Sequence, residues 1–161
     1  KFKFSLRVQE QCMTEISIIL RSTGPNNLIY SELLIFLVAI KSYRPNLYNM
    51  LQQKDVVDVE LILEQVFEIL NGGDNFFRYF EPYISANILR NFSNEDEPNI
   101  VISKMREIAN STTDDSNITP EQYRARRILE FYVNRNGFFD KRKKIAYLIS
   151  RIDNVGNFVT S

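Results

Sequence analysis

The chain has 161 residues, 20 acidic and 20 basic side chains, no histidine and one cysteine, Cys12. Without imidazole there is no Ser-His or Cys-His pair and no histidine metal ligand, and a single thiol leaves neither a disulfide nor a zinc-thiolate site. What remains is the expectation of a protein that is not an enzyme and carries no cofactor or metal.

In chain order, residues 1–9 alternate apolar and polar like an edge strand, with Val155–Val159 as the only conceivable partner. A lone strand has no stability of its own, so the pattern favours a helix from about Leu6, with Met13, Ile16 and Leu20 inward. Gly24–Pro25 ends it. The organising stretch follows at Leu28–Ile40, LIYSELLIFLVAI, interrupted only by Ser31 and Glu32. A run that apolar leaves no wet face and must be surrounded. It falls well short of the roughly 20 residues that a membrane span needs. Asn26 or Asn27 is placed to cap its first turn, and Pro45 pushes Arg44 out of helical geometry.

Pro45–Gln53 makes a short helix with Leu47, Met50 and Leu51 inward. Asp55 or Asp58 caps the next, which runs to Asn71 with a stripe at Val59, Leu63, Val66 and Leu70. Glu60, Glu64 and Glu68 form its outer row, and Gly72–Gly73 stops it. From Asp74 to Phe92 an aromatic-rich ridge recurs every four residues: Phe76, Phe80, Ile84, Ile88 and Phe92. Pro82 inside it implies a kink or a break into two helices. Pro98 suits the first position of a helix using Ile100 or Val101, Met105 and Ile108.

Residues 110–118, NSTTDDSNI, lack periodicity and read as a mobile loop. Thr119–Pro120–Glu121–Gln122 is the sharpest local signal: a cap, Pro at the first helical position, and Gln three residues after Thr. That helix puts Ile128, Leu129 and Tyr132 inward and Arg124 and Arg127 outward. Asp140 caps a last helix, with Ile145, Leu148, Ile149 and Ile152 inward, ending before Gly156.

The result is an all-α chain of seven to nine helices around the buried run at 28–40. Either a single compact bundle or a short armadillo/HEAT-like array fits this, since helix pairs recur at roughly 40-residue spacing. The chain starts at Lys1 rather than Met and reads as one domain cut from a larger protein. One cysteine and no apolar span point to an intracellular setting, cytoplasmic or nuclear, with no membrane partner.

Charge is unevenly divided. Residues 1–118 hold 11 basic and 16 acidic side chains, and residues 119–161 hold 9 and 4. Two faces follow. The acidic row Glu60, Glu64, Glu68 is either a solvated surface or a docking face for a basic peptide or for the chain's own basic end. The basic face gathers Arg124, Arg127, Lys141, Arg142, Lys143 and Lys144, with Tyr123, Tyr132 and Tyr147 nearby. It is either an ordinary surface or a contact for phosphates and bases. Asn134–Gly137 with Asp140 has half the outline of a calcium loop, without an acidic first ligand or a closing Glu.

Three functions are open at this level. The first is a non-catalytic protein-interaction domain, an adaptor or scaffold. The second is a helical nucleic-acid-binding domain using the basic C-terminal helices. The third is a bundle of the Bcl-2 type that holds a partner helix in a groove, an analogy of architecture alone.

Overall fold

In the computed structural model the chain is described at residues 4–23, 30–53, 58–70, 75–93, 100–111, 118–133 and 144–159. These residues form eight α-helices and no strand: α1 (Leu6–Ser22), α2 (Ser31–Tyr43), α3 (Pro45–Gln52), α4 (Val59–Leu70), α5 (Asn75–Phe92), α6 (Ile100–Asn110), α7 (Pro120–Val133) and α8 (Lys144–Val159). The all-α bundle expected from the sequence is what the chain forms. It divides into two compact units. Lys1–Val57 with Arg142–Ser161 make the first, and Asp58–Lys141 the second.

In the first unit α2 is the centre, packed by α1, α3 and α8. Leu33, Leu34 and every residue from Phe36 to Ile40 are buried. From Leu33 to Ile40 only Ile35, 52% exposed, gives the apolar run an outer edge. The helix continues past Ile40 to Tyr43 and stops at Arg44, whose φ of −137° and ψ of 68° are non-helical. Pro45 then opens α3. This is the restriction that proline places on its predecessor. Leu47, Tyr48 and Leu51 of α3 and Ile145, Leu148, Ile149, Ile152 and Val155 of α8 complete the core.

Two expectations for this unit are corrected. Helix α1 does turn an apolar face inward, but the face is that of Cys12 and Ile19, not Met13 and Leu20. Met13 is 63% exposed and Leu20 41%. Apolar residues cover one broad side of α1, from Val8 and Ile19 round to Leu6 and Met13, and the helix buries one edge of it. That edge also brings Glu15 to Lys41 and Cys12 to Ser42 on α2. Helix α8 runs through Gly156 to Val159 rather than ending before it. A glycine inside a helix costs only about 1 kcal/mol, which tertiary packing readily overrides.

In the second unit α4 packs on α5, α5 on α7, and α7 on α6. Asp58 caps α4, its Oδ1 accepting from the Leu61 N–H at 3.0 Å. Ile62, Leu63, Val66, Ile69 and Leu70 face inward. Helix α5 is one continuous helix across Pro82, not two. Ile84 and Ile88 of its ridge are fully buried. The missing N–H of Pro82 is outweighed by the burial of Ile84, Ile88 and Leu89 in the turns that follow it. In α6 the inward residues are Ile102, Met105 and Ala109, while Ile100 is 72% exposed. The stripe expected from Ile100 or Val101 therefore starts one or two residues later, with Val101 half-buried. Helix α2 begins at Ser31 with Tyr30 at its N-cap and no side-chain cap bond, so the cap expected at Asn26 or Asn27 is not the one it uses. Asp55, Pro98 and Asp140, and most of the 110–118 loop, lie outside the described residues.

The predicted capping box closes α7 as expected. The Thr119 N–H donates to Gln122 Oε1 at 2.8 Å, and the Gln122 N–H donates to Thr119 Oγ1 at 3.2 Å. Gln122 is buried, and its Nε2 also donates to Ser111 Oγ at 2.6 Å. Thr119→Ala is expected to cost about 1 kcal/mol. Gln122→Ala is expected to cost more, because it removes a buried side chain together with its bond to Ser111. Urea unfolding followed by helical circular dichroism ranks the two, and equal losses would mean that the Ser111 bond contributes nothing.

Candidate functional site

The acidic row is where the sequence placed it. Glu60, Glu64 and Glu68 are exposed along α4. Leu61, 43% exposed, lies on the same side, with Glu64 three residues on and Glu68 seven. Glu60 accepts from Lys104 Nζ of α6. That bond raises the Lys104 ammonium above its ordinary value, with the Glu60 charge adding to it. Among the described residues, the partner of Glu60 is thus a lysine of the acidic part of the sequence.

The basic face differs from expectation. Arg124 and Arg127 do not point outward as free cations but are built into the second unit. Arg124 Nε donates to Glu81 Oε1 at 2.7 Å, and its guanidinium lies 4.6 Å from the Phe67 ring centre. Glu81 is an acid inside an aromatic helix. Burial raises its carboxyl pKa, and Arg124 opposes that rise. Arg127 pairs with Glu130 and packs over the Tyr79 and Phe131 rings at 5.4 and 5.5 Å.

Two more arginines terminate helices. Arg126 Nε donates to the Ala109 carbonyl at 3.0 Å, at the end of α6. Arg90 Nη2 donates to the Phe131 and Tyr132 carbonyls at 2.7 and 2.8 Å, at the end of α7. The last carbonyls of a helix lack intrahelical donors, and a cation there also meets the negative end of the helix dipole. Burial lowers the Arg90 guanidinium from its ordinary value, with Tyr132 and Tyr83 acting the other way.

Of the remaining basic residues, Lys141, Arg142 and Lys143 lie outside the described residues. Lys144 is half-buried, its Nζ 4.2 Å from the Tyr30 ring centre. Arg124 and Arg127 belong to the second unit and Lys144 to the first. The outline at Asn134–Asp140 also falls outside the described residues.

Sequence reasoning missed a polar chain in the first unit. Lys41 Nζ donates to Glu15 Oε1 at 2.7 Å and sits 6.0 Å from the Tyr48 ring centre. Tyr48 Oη donates to Asp153 Oδ1 at 3.0 Å, and Gln52 Nε2 donates to Asp153 Oδ2 at 2.8 Å. These residues tie together all four helices of the unit. Burial holds the Tyr48 hydroxyl far above the ordinary tyrosine value, and its bond to Asp153 adds to this. The Tyr48 hydroxyl thus keeps its proton and donates a hydrogen bond to Asp153. The available signal was Asp153 itself, the single acid of α8, next to the buried Ile152.

Asp153→Ala strands the buried Tyr48 hydroxyl and is expected to cost about 1–3 kcal/mol, whereas Tyr48→Phe removes the donor and costs about 1 kcal/mol. Asp153 is partly exposed, so water replaces the lost donor in Tyr48→Phe. Unfolding midpoints of the two variants give the order, and the reverse order would contradict this account.

Among the described residues no group of acidic or thiol side chains is arranged to hold a metal ion, and no helix is long and apolar enough to cross a membrane. No protein-family model, no curated protein and no solved structure matches the chain.

Proposed function

We propose that the chain is a non-catalytic protein-interaction domain, an adaptor or scaffold element of a larger intracellular protein, and that a basic segment of its partner docks on the outer side of α4. The observation that carries this reading is Leu61, exposed at the edge of the acidic row beside Glu64 and Glu68. An amphipathic segment bearing Lys or Arg beside an apolar residue satisfies both features at once. Lys104 is no obstacle, because an exposed ion pair such as its contact with Glu60 is worth about 0–1 kcal/mol and exchanges readily for another cation. The nucleic-acid alternative has less support, since Arg124, Arg126 and Arg127 already serve internal partners.

The test is titration of a synthetic Lys- and Leu-rich amphipathic peptide into the protein by calorimetry. Binding is expected to weaken as salt is added. The triple variant Glu60→Gln, Glu64→Gln, Glu68→Gln is expected to lose about tenfold in affinity, on the order of 1.4 kcal/mol. Its helical circular dichroism should match that of the parent. Absence of binding to the parent, or equal binding by the triple variant, overturns the proposal.

A further inference from the structure

We draw no further inference here: the strongest candidate, the apolar seam Leu6–Met13–Leu20 along the outer face of α1, carries nothing because nothing in the structure shows what covers it.

Discussion

Leu37→Ala is expected to destabilise the first unit by about 2–5 kcal/mol, the range for truncating a fully enclosed leucine. Leu37 has no exposed surface and sits midway along α2, with neighbours buried on both sides in sequence. The loss combines the transfer free energy of the removed carbons with the void they leave, because interiors pack too densely to relax around it. Domains of this size are stable by only about 5–15 kcal/mol, so the variant forfeits a large share of that margin. Ile35→Ala on the same helix supplies the contrast. Half of Ile35 is already in water, so its truncation should cost well under that of Leu37. Urea unfolding of both variants reads the difference. Comparable losses at 35 and 37 would mean that α2 is not enclosed as described.

The second large effect is expected in the other unit. Arg124→Met removes the cation from Glu81, a carboxylate with little access to water. Breaking a buried pair from one side costs more than the pair contributes, because the remaining charge has no compensation. Arg124 is itself one-third exposed, which moderates the penalty to about 2 kcal/mol near neutral pH.

The pH dependence follows from the direction of the Glu81 shift. Its folded pKa lies above the ordinary value of 4.5, chiefly through burial. The folded state therefore holds this proton more tightly than the unfolded state does. Its contribution to stability is fully present below the ordinary value and is lost as pH rises through the folded value. Removing Arg124 withdraws the term that opposes the shift, so the decline should deepen and extend to higher pH. Glu81→Gln should abolish this component while keeping an acceptor for Arg124. Unfolding midpoints taken from pH 4.5 upward test the ordering. A slope unchanged by Arg124→Met would show that Glu81 does not sense the guanidinium.

The elements were legible where a local rule was decisive. The density of Leu28–Ile40 identified the enclosed helix, Pro45 marked the break after it, and Thr119–Gln122 and Asp58 gave two caps that recur in the structure. The row at Glu60, Glu64 and Glu68 was legible for the same reason: α4 has one unambiguous apolar side, so its outer side is fixed. The inward edge of α1 was not legible, because its apolar side is broader than the contact it makes, and the contacts of Glu15 and Cys12 with α2 lie at the edge that is buried.

The arginines of α7 were misjudged for a different reason. Charge counted along the sequence says nothing about which carbonyls end without a donor, and those ends belong to α6 and α7 only once the helices are placed. Glu81 among aromatics was the one clue that a cation had to come inward.

Cys12 is the chain's only thiol, and it is shielded between α1 and α2 beside Ser42. A thiol-specific reagent therefore modifies only those molecules in which α1 has lifted away. The labelling rate under native conditions clocks that excursion directly, with no probe introduced and no competing cysteine to correct for.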